Sequence, residues 1–474
     1  WQKPGSVSFD KNFSLLFYGD NIKRPALCVW QKGRSETAWK IRISAHISET
    51  TMNAFNYKSG VMHAEGVSLA NLAAKLGTPF YCYSEGAITK QYCSYVDAFT
   101  DQDAVICYAM KANDNLAVLR TFAELGAGAD VVSGGELQRA LAAGIPPAKI
   151  IFSGVGKTED ELALALSSSI MQINIESFAE MELLSRVASA KGVTAEIAIR
   201  VNPNVDAKTH DKIATGRKQD KFGINIEFAT EAYRKAAALP GLDTTAVAVH
   251  IGSQLTSLDP FQAAFARVAE LVGELRSNSH DIRRVDLGGG LGITYDGETP
   301  PTPNAYASVV KETVGDLGCR VLLEPGRNLV GNAGVLVTQV IYTKEGDDRD
   351  FVIVDAAMND LIRPALYDAY HGICPVIEPA EGTKLQCVDV VGPICETGDT
   401  FTRARNLPLL SAGDLLVFNS AGAYCAVMSS TYNARPHVPE VLVKEDQFSI
   451  VRARQTIEDI LRAEKFAVWQ TAVN

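Results

Sequence analysis

The stretch that decides the fold is Ala104–Asn113, AVICYAMKAN. An apolar run ends in a single lysine, Lys111. Ala112 and Asn113 then break the run, and a helical pattern follows from Asn115. A buried strand that ends in lysine reads as a reactive amine at the mouth of an α/β barrel. Desolvation disfavours the ammonium form, so such a lysine can act as a neutral nucleophile and form a Schiff base. A strand ending at solvent with an unengaged lysine would look the same over this stretch. The rest of the chain decides, because it supplies a phosphate cradle, a ring partner and a carboxylate clamp.

Working outward from Lys111, apolar and β-branched runs alternate with helical patterns. The runs are Ala104–Ala109, Ala129–Val132, Lys149–Phe152, Met171–Ile175, Ala195–Val201, Ala246–Ile251, Arg284–Leu287 and Arg320–Leu323. Strands alternating with helices imply a parallel sheet, and eight units in ~220 residues have the size of a (βα)8, TIM-like barrel. Helix starts agree. Ser133-x-x-Glu136, Thr158-x-x-Glu161 and Ser177-x-x-Glu180 are capping boxes, each soon after an expected strand. Asp259-Pro260 offers an N-cap followed by proline at the first helical position.

After Arg327 the rhythm changes. Gly331–Tyr342, Phe351–Asp355, Lys384–Val391, Leu415–Phe418 and Pro439–Val443 read as strands joined by turn-rich loops, a mostly β second domain. Upstream, Ser68–Gly77 reads as a short amphipathic helix stopped by Gly77, and Thr78–Tyr83 as a strand with its proline at the edge.

Composition bounds the possibilities. With 47% hydrophobic and 21% charged residues the chain is of ordinary soluble type, and its length of 474 residues allows two sizeable cores. A net charge of -10 excludes nucleic acid and anionic membrane as natural partners. No apolar window is long enough to span a bilayer. Nine cysteines without a C-x-x-C pair argue for a reducing, cytoplasmic compartment and against a metal site. Residues 1–51 differ from the remainder. They hold eight Lys/Arg against four Asp/Glu, whereas residues 52–474 hold 37 against 51. They show no sustained period and precede the first methionine, Met52, which reads as a non-native or poorly ordered extension.

In a (βα)8 barrel the chemistry sits at the C-terminal ends of the strands. Lys111 ends the first run, His250-Ile-Gly-Ser253-Gln254 the sixth, Gly288-Gly289-Gly290-Leu-Gly292 the seventh, and Glu324-Pro325-Gly326-Arg327 the eighth. The glycines let backbone N–H groups approach an anion closely, and the seventh and eighth loops are the usual phosphate position. A lysine beside a phosphate cradle suggests pyridoxal 5'-phosphate. That cofactor wants an acidic partner for its ring nitrogen, a job for Glu324 unless it merely pairs with Arg327. His250 is either a satisfied core histidine or a flat ring lying against the cofactor.

These motifs, with others, carry a resemblance. Tyr108-Ala-Met-Lys-Ala-Asn113, His210-x-Lys212-Ile-x-Thr-Gly216, Lys221-Phe-Gly223, Arg363-Pro-Ala-Leu-Tyr367, Cys395-Glu396-Thr-Gly-Asp399 and Gly422-Ala-Tyr424 join the four loops in one order. From about Met52 to its end the chain resembles the diaminopimelate decarboxylases, in the alanine-racemase-like, fold-type III class of pyridoxal-phosphate enzymes. The resemblance implies decarboxylation of meso-2,6-diaminopimelate to L-lysine and carbon dioxide, the last step of lysine biosynthesis. It implies that Lys111 binds the cofactor covalently and His250 stacks on its ring. Ser253, Gly289, Gly290 and the loop Glu324, Pro325, Gly326, Arg327 would hold phosphate and pyridine, with Tyr424 adding a contact from the β domain. Arg327, Arg363, Tyr367 and Tyr424 would bind the substrate around its retained carboxylate. Glu396 would take the distal ammonium, and Cys395 would be the proton donor. The polar stretch Val205–Gln219, with His210, Lys212, Arg217 and Lys218, would be a lid. The implied partner is a second copy in a homodimer with shared active sites. The expected domains are 1–51, the extension; 52–85, a segment packing with the β domain; 86–327, the cofactor-binding barrel; and 328–474, the β domain. The competing readings are an ornithine- or arginine-type decarboxylase on the same fold, an amino-acid racemase, and a non-catalytic pyridoxal-phosphate carrier.

Overall fold

The computed structural model describes residues 28–32, 39–43, 54–206, 215–216 and 220–470. Residues Trp1–Met52 and Asn53–Asn474 form separate compact units. In the first, Cys28–Lys32 and Trp39–Ile43 pair antiparallel. Two strands of five residues are too short to leave a sustained period in the sequence, which is why none was expected there.

The second unit is built on a closed barrel of eight parallel strands. They are β1 (Ala104–Ala109), β2 (Gly128–Val131), β3 (Ile150–Phe152), β4 (Gln172–Ile175), β5 (Ala195–Asn202), β6 (Leu242–Ala248), β7 (Arg284–Asp286) and β8 (Arg320–Leu323). Sequential strands are neighbours, β8 returns to β1, and the ring is complete. The first and eighth strands have the expected bounds, but the sixth does not. It starts earlier, at Leu242, because Leu242, Asp243 and Thr244 are half-buried or exposed and leave no continuous apolar signal. It stops at Ala248, so His250 lies in the loop beyond the strand. Val249 and Ile251 are apolar because they are buried in that loop.

Seven helices follow the strands in order, and the eighth position is filled differently. Behind β8 the chain leaves for the β domain. Helix Glu85–Ala98, from before the barrel, packs instead between Pro303–Val314 and Leu116–Glu124. The caps are partly as read. Thr158 and Glu161 form a complete capping box. Ser133 and Ser177 accept the N–H of Glu136 and Glu180, but those two glutamates turn to other partners. Glu136 accepts from Val132 N–H, and Glu180 from Lys157. Asp259 begins its helix instead of capping it.

The β domain carries a sheet in the order Thr400–Pro408, Leu385–Val391, Asp350–Val354, Gly334–Lys344, Phe80–Ser84, Glu440–Lys444, Gln447–Arg452, with Leu415–Phe418 also on Gly334–Lys344 and Ile373–Pro375 beside it. Thr400–Pro408 and Gln447–Arg452 were not expected. Both are edge strands with mostly solvent-facing residues, so their apolar alternation is faint. Phe80–Ser84 is a fully buried central strand, and Pro79 precedes it, where no ladder donor is lost. The hairpin Phe55–Lys58 with Val61–Ala64 packs its Phe55, Met62 and Ala64 in one apolar cluster with Val335, Val337 and Val441 of this sheet.

Candidate active site

Lys111 sits on a single 3-10 turn, Met110–Ala112, one step beyond the end of β1. Three contacts fix the turn. Tyr108, stacked on Phe122 at 4.0 Å, donates its hydroxyl to the Asn113 carbonyl at 2.9 Å. Ala109 N–H reaches the Pro325 carbonyl at 3.1 Å, and Tyr424 N–H the Ala112 carbonyl at 2.7 Å. The lysine turn is therefore tied both to the eighth-strand loop and to the β domain. Asn115 then caps the following helix by accepting from Ala117 N–H.

Lys111 Nζ donates to Asp130 Oδ2 at 2.5 Å. Burial works against its ammonium form, but Asp130, Glu324 and Tyr424 outweigh it, and the Lys111 pKa rises above its ordinary value. The amine is thus a charged group clamped by the Asp130 carboxylate, not the neutral desolvated amine expected from the apolar run. Asp130 is fully buried on β2, and sequence reasoning missed it. A lone acid inside the apolar run Ala129-Asp130-Val131 was the available signal.

Around that pair lies a buried polar layer. Glu324 accepts from Ser153 Oγ at 3.3 Å. Asn174 Nδ2 donates to Ser153 Oγ at 3.1 Å and to Asp286 Oδ2 at 2.8 Å. Burial first, then Asp130 and Asp286, push the Glu324 carboxyl well up, while Lys111 and Arg200 pull it back. Burial also pushes Asp286 up to about 6. Three buried carboxyls thus share too little positive charge. His250 borders this layer. Gly289 N–H donates to its Nδ1 at 3.2 Å, and burial, then Arg200 and Lys111, drive its pKa far down. The imidazole is neutral, with its proton on Nε2.

The loops after β6 and β7 are zipped together. Leu255 N–H donates to the Gly290 carbonyl, Gly292 N–H to the Leu255 carbonyl, and Gln254 grips Ile293 through both its amide atoms. Gly290 has φ +120°, and a Cβ there would come within 2.6 Å of the Gly252 carbonyl. Ser253 Oγ accepts from Arg327 Nε and Nη2 at 3.3 and 3.1 Å.

Two buried guanidiniums face one aromatic residue. Arg327 Nη1 donates to the Tyr295 hydroxyl at 2.7 Å, and its guanidinium lies 4.7 Å from the Tyr424 ring centre. Arg363, on the short helix Arg363–Tyr367, lies 4.8 Å from the Tyr295 ring centre. Its Nη1 donates to His371 Nε2 at 2.9 Å. His371 Nδ1–H in turn donates to the Asn419 carbonyl at 2.8 Å. Burial, then Arg363, lowers the His371 pKa to about 3, so it stays neutral and can accept. Tyr295 and His371 were also missed. Tyr295 lies past the glycines, and His371 past the arginine motif, with no periodic signal.

The chain thus brings Lys111, His250, Ser253, Gly289, Gly290, Glu324, Pro325, Gly326, Arg327, Arg363 and Tyr424 to one end of the barrel. Tyr367 is half-buried at the end of the Arg363 helix. Cys395 and Glu396 are not brought there. Both are exposed on the β domain; Glu396 accepts from the Tyr432 hydroxyl at 2.9 Å, and Cys395 N–H donates to Asn433. His210, Lys212, Arg217 and Lys218 of the expected lid lie outside the described residues.

A closed barrel with a lysine at its first strand end, a glycine loop at its seventh and an acid at its eighth, joined to a β domain, is the frame of a barrel-type pyridoxal-phosphate enzyme. The pyridoxal binding domain of pyridoxal-dependent decarboxylases matches residues 85–331. The diaminopimelate decarboxylase of Zymomonas mobilis is 46% identical over 423 residues, 88% of this chain and 100% of its own. That of Pseudomonas aeruginosa is 48% identical over 413 residues, 87% and 99% of the two chains. Among solved structures, the Helicobacter pylori diaminopimelate decarboxylase complexed with L-lysine aligns with a TM-score of 0.80 at 41% identity, covering 83% of this chain and 98% of its own. The M. jannaschii enzyme in co-complex with L-lysine aligns at 0.83 and 37%, covering 88% and 99%. The chain belongs to the diaminopimelate decarboxylase family.

Pyridoxal 5'-phosphate fits the residues present. The Lys111 amine is at hand, and the seventh-strand loop offers a backbone cradle that a Cβ at Gly290 would fill. Asp130 Oδ1 is buried without a hydrogen-bond partner among the described residues. The buried carboxyl of Glu324 calls for a cation, which a protonated pyridine nitrogen provides.

Proposed function

We propose that the protein decarboxylates meso-2,6-diaminopimelate to L-lysine and carbon dioxide with pyridoxal 5'-phosphate. The observation that carries this reading is the pair of buried guanidiniums, Arg327 and Arg363, beside the lysine turn. A diaminopimelate has two amino-acid ends, so its non-reacting end must be held firmly. Arginine grips a carboxylate through two parallel hydrogen bonds. A substrate of the ornithine or arginine type has no second carboxylate and gives Arg363 nothing to hold.

In this reading Lys111 carries the cofactor, His250 lies against its ring, and Glu324 faces the ring nitrogen. Ser253, Gly289, Gly290, Pro325, Gly326 and Tyr424 hold the phosphate side. When bound, the cofactor delocalises the electron pair left on the carbon that loses carbon dioxide. Arg327, Arg363 and Tyr367 grip the retained carboxylate. The second half of the chemistry comes from another copy of the chain: its Glu396 takes the distal ammonium, and its Cys395 thiol delivers a proton to the carbon that has lost carbon dioxide. Exposure of Cys395 and Glu396 on the β domain supports this, because residues that serve a neighbour's barrel must stand clear of their own fold. A C2 homodimer then carries two composite sites. The eight described cysteines are all free thiols, which supports a cytoplasmic setting.

The test is direct. Protein loaded with cofactor should release carbon dioxide from meso-diaminopimelate and form lysine stoichiometrically, with far lower turnover of ornithine and arginine. Turnover of ornithine or arginine at equal or greater kcat/KM would reject the reading.

A further inference from the structure

Tyr295 has no part in the roles above, yet it stands between both clamp arginines. It lies on the loop that begins with Gly288–Gly290, so one segment serves the proposed phosphate cradle and reaches the clamp. Its backbone is pinned: Tyr295 N–H and Asp296 N–H both donate to Glu298 Oε2, at 2.7 and 2.6 Å. Its hydroxyl accepts from Arg327 at 2.7 Å, and its ring centre is 4.8 Å from the Arg363 guanidinium and 5.8 Å from that of Arg327. The His371 ring meets it edge-on, at 5.6 Å and 82°. His371 in turn accepts from Arg363.

Two guanidiniums held close together repel each other, and both are buried. An aromatic face and a phenol oxygen between them offset that repulsion and set their spacing. Neutral His371 fixes Arg363 without adding a third charge. We propose that Tyr295 is a positioning residue that holds Arg327 and Arg363 at the separation a carboxylate needs, and so makes the site select ligands that keep a carboxylate away from the reacting carbon. This rests on the clamp reading above.

The test compares L-lysine with 1,5-diaminopentane, which is lysine without its carboxylate. Both are titrated calorimetrically into cofactor-loaded wild type, Tyr295→Phe and Tyr295→Leu, with the visible cofactor band as a check on the pocket. Removing ring and hydroxyl in Tyr295→Leu should weaken L-lysine about tenfold, between the scales of an exposed and a desolvated cation–π contact. Affinity for 1,5-diaminopentane should stay the same. Tyr295→Phe keeps the ring and should fall between wild type and Tyr295→Leu. With meso-diaminopimelate, KM should rise in the same order while kcat changes little. Parallel loss of both ligands, or no change in the lysine-to-diamine ratio in either variant, overturns the proposal. If Tyr295→Leu does not fold, the ratio in Tyr295→Phe decides. Failure of the wild type to turn over meso-diaminopimelate would reject the functional reading instead, and the binding ratio would still report on Tyr295.

Discussion

The two halves of the proposed site are built in opposite ways. At the barrel end, Lys111, Asp130, Glu324, Arg327 and Arg363 are held by partners within the same chain, and all but Lys111 are buried. On the β domain, Cys395 and Glu396 are exposed, but the turn that carries them is rigid. Buried Asp399 accepts from Ile394 N–H at 2.7 Å and Met358 N–H at 2.6 Å, and Gly392 packs so close that a Cβ would fall 2.3 Å from its carboxylate. The contrast separates preorganisation from burial. The barrel half is buried and held by its own side chains, with Asp130 Oδ1 left over among the described residues. The Cys395–Glu396 turn is held in its backbone and open in its side chains, as the proposed use in a partner's barrel requires.

The sharpest way to break this comparison is to remove the centre of the buried half. Lys111→Ala should lower turnover by about three orders of magnitude or more, since the covalent anchor of the cofactor is lost. The fold should persist, because the turn is held by backbone and Tyr108 contacts that the substitution spares. Normal turnover in that variant, with cofactor trapped by borohydride on another lysine, would reject the assignment. Removing the open half should cost about as much as losing a general acid, roughly 100- to 10,000-fold for Cys395→Ala. Mixing the two inactive variants sharpens the comparison further. In a heterodimer one composite site is intact and the other carries both lesions. Activity should recover towards about half the wild-type value per heterodimer. No recovery, with subunit exchange confirmed independently, would place Lys111 and Cys395 in the same chain's site.

A smaller effect is expected at the clamp. Arg363→Lys keeps the charge and loses the planar fork, so KM for meso-diaminopimelate should rise about 10- to 100-fold with the visible cofactor band unchanged. Unchanged saturation would remove Arg363 from substrate binding.

What could be read from the chain follows the same division. Barrel strands buried on both faces leave continuous apolar runs, so β1 and β8 were found to the residue. The loops that end them carry glycine, histidine, glutamate and arginine, types whose chemistry is visible in a line of text. Asp130 left only the faint mark of a lone acid in an apolar run, and Asn174, Asp286, Tyr295 and His371 left none, for a physical reason. Their importance comes from distance in space, across strands that are far apart in sequence. The edge strand Thr400–Pro408 was missed because it buries little, with only Phe401 and Leu407 fully covered. The charge of Lys111 was misjudged because the apolar run reports desolvation, and Asp130, which counters it, lies on the next strand.

The smallest expected effect bears on stability in the buried half. Glu136 follows Asp130 and accepts from Val132 N–H at 2.8 Å. Burial is the first cause of its raised pKa, with Asp130 and Asp114 adding to it; the Val132 N–H bond and Lys111 oppose, and the balance pushes it from 4.5 to about 7. Between these two values the folded chain keeps a proton that the unfolded chain has released. The folded state binds more protons there, so stability falls as pH rises through that window. Below pH 4.5 both states are protonated and the group contributes no slope. Asp286 adds a similar slope up to about 6. Glu136→Gln removes one titrating group and keeps an oxygen for Val132 N–H. Its melting temperature should therefore decline less than that of the wild type between pH 5 and pH 7.5, by a few degrees. No other change on the exposed β-domain turn should mimic it, and Glu396→Gln is the control, because an exposed carboxylate contributes little to folding. If Glu136→Gln and the wild type lose melting temperature in parallel across that range, Glu136 is already ionised in the folded chain, and the buried half tolerates more negative charge than its geometry indicates.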